Sequence, residues 1–167
     1  VITAYRSRPA HLEAAIDSAR AQTWGEVEIL VSDDSPTPDL KEMVNKSNDS
    51  RIRYFHHAPP MGVARNHWWC FKQARGELIA ILNHDDLLEP AFVESLARPL
   101  IGEPRAALAF CDHWIIDADG ARLPEQTAEA SRAWGRATRG DGVCRKFVAG
   151  DSVGAAQSGR LDAQPCN

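Results

Sequence analysis

Two apolar runs in this chain each stop at a pair of carboxylates. The first is Val27-Glu28-Ile29-Leu30-Val31-Ser32-Asp33-Asp34-Ser35. The second is Leu78-Ile79-Ala80-Ile81-Leu82, followed by Asn83-His84-Asp85-Asp86. Short apolar runs bounded by polar turn formers read as buried strands. Between them, Gly62-Val63-Ala64-Arg65-Asn66 reads as the start of a helix. Strands of a parallel sheet finish along one edge, so both carboxylate pairs fall on that edge. In open α/β sheets, ligands bind outside the carboxyl ends of the strands. Paired carboxylates there suit a divalent cation and a phosphate-bearing ligand.

The rest of the chain fits such a sheet. Val1 to Ala4 is a short strand followed by a loop through Arg8. Ser7 can cap a helix with Pro9 in its first turn, and Leu12, Ala15, Ile16 and Ala19 form its apolar face. A helix is expected from about Asp39 to Val44, after the Pro36 and Pro38 break. A strand follows over Ile52 to Phe55, and then a helix over Val63 to Arg75 stopped by Gly76. Leu78 to Leu82 is the most apolar strand, as expected at a sheet centre. Glu89-Pro90 opens a helix through about Leu96, and Ala106 to Cys111 is a strand. Trp114 to Asp117 and Ala121 to Leu123 flank Asp119-Gly120 as a hairpin, which adds antiparallel character near one edge. Beyond Pro124 no clear element emerges. Alternating strands and helices give an α/β fold with a mostly parallel sheet and right-handed crossovers.

Bulk properties narrow the function. The chain has 167 residues, 44% of them hydrophobic and 25% charged, as in ordinary globular proteins. A net charge of -4 argues against a nucleic-acid binder. No apolar run approaches the roughly 20 residues that span a bilayer, and no signal peptide is visible. Cys70, Cys111, Cys144 and Cys166 form no CxxC pair. They read as reduced and structural, which fits a cytoplasmic location, with peripheral membrane association left open. Cys111-Asp112-His113 lacks a partner pair at zinc-ligand spacing. The chain starts at Val1, as if inside a strand, and Gly150 to Asn167 shows little periodicity. A fragment of a longer protein is expected, or one whose end departs from its relatives.

Each candidate site has a plainer alternative. In Asn83-His84-Asp85-Asp86 one carboxylate can face a metal while the other anchors the loop; alternatively both serve the turn before Pro90. Asp33-Asp34 can accept bonds from a ribose hydroxyl or a base N–H; alternatively Asp34 or Ser35 merely caps the turn before Pro36. Arg65, on the first turn of a helix, can reach a phosphate or a base, or be an ordinary surface arginine. Tyr5 can stack on a base or be a partly buried loop aromatic. His56, His57 and His113 read as surface or core histidines. Trp68-Trp69 read as helix packing rather than a ligand platform, and Trp114 and Trp134 as core residues, with lining of an acceptor site as the alternative. Neither GxGxxG nor GxxxxGK[ST] occurs.

These segments, in this order, resemble the family 2 glycosyltransferases of the GT-A fold, from Val1 to about Leu123. The matching pieces are Ala4-Tyr5-Arg6, Leu12 through Gln22-Thr23, Glu28 to Ser35, Gly62 to Asn66, Ala74-Arg75-Gly76-Glu77, and Ile81 to Pro90. The resemblance implies transfer of a sugar from a UDP-, GDP- or dTDP-linked donor to an acceptor hydroxyl on a saccharide, lipid or protein, with inversion. It implies a place in cell-wall or polysaccharide biosynthesis. Residues 1–123 would be the donor-binding part and 124–167 a weakly assigned C-terminal segment, with the acceptor half truncated. Ala4, Tyr5 and Asp33 would hold the base and ribose, with Arg6 and Asp34 beside them and Arg65 near the nucleotide. Asn83 and His84 would complete the donor set. Asp85, helped by Asp86, would bind Mn2+ or Mg2+ in a DXD-type motif.

Two departures stand out. Asn83 replaces a common aspartate, and an amide is the poorer metal ligand. Arg6 replaces the common asparagine of the first loop. No general base is identified: Asp151 and Asp162 are the late carboxylates, and neither sits in a recognisable context. The alternative is a truncated nucleotide-binding module without catalysis. A sugar nucleotidyltransferase on a similar sheet lacks support, because no Gly-rich basic loop follows the first strand.

Overall fold

The computed structural model describes residues 1–134 and the backbone of residues 142–145. The chain divides into two compact units, the first running from Val1 to Glu94 and the second starting at Ser95.

The first unit holds a four-stranded parallel sheet of β1 (Ile2–Ala4), β2 (Ile29–Asp33), β3 (Ile52–His56) and β4 (Leu82–Asn83), in the order β3-β2-β1-β4. Helices α1 (Pro9–Arg20), α2 (Lys41–Lys46) and α3 (Val63–Gln73) join the strands. Such connections are what parallel pairing demands. All five residues of β2 are buried, as the apolar run predicts for a strand with a neighbour on each side. The α1 stripe of Leu12, Ala15, Ile16 and Ala19 packs with Ile2, Ala4, Ile29, Val31, Leu40, Val44 and Leu82 into one core.

Several expectations shift. Pro9 opens α1 as foreseen, but Arg8 is its cap residue and makes no side-chain cap bond; the Ser7 hydroxyl donates to the Arg8 carbonyl. Helix α3 stops at Gln73 because Ala74 turns extended (φ -63°, ψ 140°), so Gly76 is not its terminator. The larger correction concerns Leu78 to Leu82. Only Leu82 and Asn83 form a strand, and β4 lies at the outer edge of its sheet rather than the centre. Leu78, Ile79 and Ile81 are 45%, 41% and 47% exposed. Among the described residues, β1 is the only strand paired with β4.

The unit boundary falls inside α4 (Phe92–Gly102), which runs past Pro99. The second unit pairs β5 (Ala106–Phe110) with β6 (Gly142–Arg145) in an antiparallel ladder. The expected hairpin is present as a single bridge between Ile116 and Arg122, with Gly120 at φ +82°. Asp117 Oδ1 accepts the N–H groups of Asp119 and Ala121 and closes that turn. Helix α5 (Pro124–Ala133) was not foreseen. Its buried positions are Thr127 and Ser131, so it shows no apolar stripe. Trp114 and Trp134 are 48% and 58% exposed, not core residues. Trp114 carries the Arg122 guanidinium over its ring, and Trp134 stacks on His113.

Candidate functional site

Register places the candidates. Ala4 pairs with Asp33, Asp33 with His56, and Asn83 with Thr3, one residue before Ala4. All four strands are parallel, so the segments after Ala4, Asp33, His56 and Asn83 leave the same sheet edge. That edge collects Tyr5-Arg6, Asp34-Ser35, the stretch leading to α3, and His84-Asp85-Asp86.

The first loop is tied to the second. The Ala4 carbonyl accepts the Asp34 N–H at 2.8 Å, and the Arg6 N–H donates to Ser35 Oγ at 2.8 Å. Arg6 takes a left-handed backbone, φ +48°. Its guanidinium lies 5.4 Å from the ring centre of Tyr5, which is 48% exposed.

The first acidic pair faces inward. Asp33 is fully buried. Its Oδ1 accepts the Ser35 N–H at 2.9 Å and its Oδ2 accepts the Tyr54 hydroxyl at 2.6 Å. Burial, and then the bond to the Asp33 carboxylate, push the Tyr54 phenol well above its ordinary pKa. Asp34 is 3% exposed and clamps a loop: Oδ1 accepts the Met61 N–H at 2.7 Å and Oδ2 the Gly62 N–H at 2.8 Å. Gly62 immediately precedes α3, so this clamp fixes where α3 begins and where the exposed Arg65 stands.

A polar thread missing from the sequence-based expectations lies under this edge. Ser32 Oγ donates to Asn66 Oδ1, and Asn66 Nδ2 donates back to the Ser32 carbonyl at 3.4 Å. Ser32 has one hydroxyl proton, so it accepts from His57 Nε2 at 2.8 Å. Burial holds the His57 imidazole below its ordinary pKa, against the pull of Asp34. Burial likewise pushes the Cys70 thiol up, and its Sγ donates to Asn66 Oδ1 at 3.8 Å. His56 Nε2 bonds the Ser35 carbonyl at 2.9 Å. The half-buried histidines are therefore packed and bonded, as their plainer reading had it. Trp69 packs edge-on against Phe55 and His57, whereas Trp68 is 61% exposed beneath the Lys72 ammonium. Cys70 is a free, buried thiol.

The second acidic pair is more open. Asn83 Nδ2 donates to Asp86 Oδ2 at 2.8 Å, which ties the loop to the end of β4. The Asp85 side chain is 57% exposed, and its Oδ1 lies 3.6 Å from His84 Nδ1. That Nδ1 is buried and has no hydrogen-bond partner among the described residues. No three His, Cys, Asp or Glu side chains converge among those residues. The pair that does lie close, His84 Nδ1 and Asp85 Oδ1, offers two donors to a divalent cation whose remaining ligands would be phosphate oxygens and water.

A cavity of about 220 Å³ lies elsewhere, between α2 and β3 and lined in part by Asp49, Ile52 and Tyr54. Tyr54 links the two regions: it lines the cavity and its hydroxyl donates to Asp33 Oδ2.

The sequence model of Glycosyl transferase family 2 matches residues 1–160. The chain belongs to this family. Over 86 residues this family member is 36% identical to the UDP-Glc:alpha-D-GlcNAc-diphosphoundecaprenol beta-1,3-glucosyltransferase WfaP of Escherichia coli. Those residues are 52% of the chain and 34% of WfaP. Over 115 residues it is 27% identical to the chondroitin synthase of Pasteurella multocida, covering 68% of the chain and 12% of that protein. Its fold is similar to the GT-A fold of S. aureus TarS, with a TM-score of 0.57 and 20% identity over 74% of the chain and 22% of TarS. The family 2 chain thus spans about a third or less of the length of these relatives. No described helix is long and apolar enough to cross a membrane.

Proposed function

We propose that this chain is the donor-binding part of a glycosyltransferase that moves a sugar from a nucleoside diphosphate sugar to an acceptor hydroxyl, with inversion and with Mn2+ or Mg2+ bound. The observation that carries this reading is the meeting of Ala4, Asp33 and Asn83 to Asp86 on one edge of a parallel sheet in a family 2 member.

The residues divide the work. Tyr5 offers an exposed ring for a base to stack on. Each Asp33 oxygen accepts one bond and keeps a second lone pair for a base N–H or a ribose hydroxyl. Asp33 is fully buried, so a donor would reach it only if the residues around it move. Asp34 holds the start of α3 in place, and the exposed Arg65 supplies positive charge for the diphosphate. Asp85 and Asp86 would hold the cation, which when bound neutralises charge on the leaving diphosphate. Asn83 positions Asp86 through its amide. An inverting transfer also needs a base near the acceptor hydroxyl. No described residue is assigned that role, and Asp151 and Asp162 lie outside the described residues.

The name of WfaP carries UDP-Glc and a diphosphoundecaprenol acceptor. UDP is therefore the first nucleotide to try, with GDP and dTDP next. The acceptor is a saccharide, lipid or protein, and the proposed location is the cytoplasm, at or near the membrane surface. The test is transfer from each donor sugar to saccharide and lipid-linked acceptors, with the anomeric configuration of the product read by proton NMR. A product of opposite configuration to the donor is expected. Retained configuration contradicts the displacement mechanism. Transfer that persists unchanged in excess chelator contradicts the role of the cation.

A further inference from the structure

We propose that His84 is itself a ligand of the divalent cation, giving an Nδ1 lone pair beside a carboxylate oxygen of Asp85. The proposal rests on the metal-assisted reading above and adds a nitrogen donor to an otherwise all-oxygen site.

His84 Nδ1 is buried and meets no hydrogen-bond partner among the described residues, an arrangement folded proteins avoid. The carboxylate oxygen paired with it, Asp85 Oδ1, is 3.6 Å away, too far for a hydrogen bond. That separation suits two donors sharing one ion. Donors each about 2.1 Å from a cation are about 3 Å apart at a right angle and about 4 Å apart when opposed. The His84 side chain is 24% exposed and that of Asp85 57% exposed, so an ion has access from the Asp85 side. Asp86 Oδ2 is already held by the Asn83 amide, which leaves the His84-Asp85 pair as the more open bite. A lone pair on Nδ1 requires the ring proton on Nε2, the tautomer in which a ligating histidine donates outward.

An imidazole nitrogen favours first-row transition ions over magnesium. This site therefore prefers Mn2+ to Mg2+ by more than carboxylates alone provide.

The experiment is pulsed EPR of Mn2+ on the tag-free protein, alone and with UDP, GDP or dTDP, alongside calorimetric titrations of Mn2+ and Mg2+. Wild type is expected to show the nitrogen coupling of a directly bound imidazole. His84→Gln is expected to lose that coupling and to bind Mn2+ about tenfold more weakly, with less than about a twofold change for Mg2+. His84→Asn serves as a second variant, and circular dichroism confirms that each is folded. Mn2+ binding that depends on Asp85 but shows no nitrogen coupling, or coupling that survives in both variants, overturns the assignment of His84 and leaves the metal reading intact. No Mn2+ binding by folded protein with any of the three nucleotides overturns both.

Discussion

Asp34 sends one carboxylate oxygen to the Met61 N–H and the other to the Gly62 N–H, and almost none of its surface meets water. Bonds to a charged acceptor are worth roughly 1.5–3 kcal/mol each. Asp34→Ala is therefore expected to lower stability by about 3 kcal/mol in urea unfolding, and a loss below about 0.5 kcal/mol contradicts the clamp. Tyr54→Phe leaves Asp33 Oδ2 without its donor and is expected to cost about 1–2 kcal/mol in the same measurement. His57 gives a pH signature. Burial lowers its pKa in the folded state, so in the window just below its ordinary value the unfolded chain binds more protons. Its contribution to stability is complete above that value and is lost as pH falls toward the lowered folded value. Wild type is thus expected to weaken more than His57→Gln between pH 7 and pH 5, and parallel pH profiles contradict this. Both acidic pairs were legible in the sequence because each ends an apolar run. What their oxygens bond was not. The partners of Asp34 are backbone amides of another segment, and beyond the neighbouring Ser35 N–H that of Asp33 is a phenol on β3, which only the pairing of β2 with β3 brings close.

At the scale of elements, two points are open to test. Gly62 adopts φ +86° and ψ 157°, a region held almost only by glycine, with open space where a Cβ would stand. Gly62→Ala is expected to cost about 1–3 kcal/mol through the backbone alone. The position of β4 is checked by contrast. Leu82 is 4% exposed, so Leu82→Ala is expected to cost about 2–4 kcal/mol, whereas Ile79→Lys should stay within about 0.5 kcal/mol. Comparable losses from the two would mean that Ile79 is covered. Strands β1 and β2 and helix α1 were readable because apolar pattern and burial coincide in them. That link fails for Leu78, Ile79 and Ile81, which are apolar yet exposed next to an edge strand, and for α5, which buries Thr127 and Ser131. Apolar content says that a residue favours burial; it does not say which strand sits in the middle.

For the whole molecule, the parallel order β3-β2-β1-β4 brings separate sequence segments to one shared edge. The chain belongs to family 2 and shares the GT-A fold, and in the proposed reading Asp85, Asp86 and His84 at that edge are the donors offered to the cation. The most direct test is calorimetric titration of UDP, then GDP and dTDP, with and without Mn2+, into wild type and Asp85→Ala. The prediction is Mn2+-dependent binding of one nucleotide by wild type, lost in Asp85→Ala while the fold persists. Binding indifferent to both Mn2+ and Asp85, or no binding by folded wild-type protein, would contradict a metal-assisted donor site at this edge.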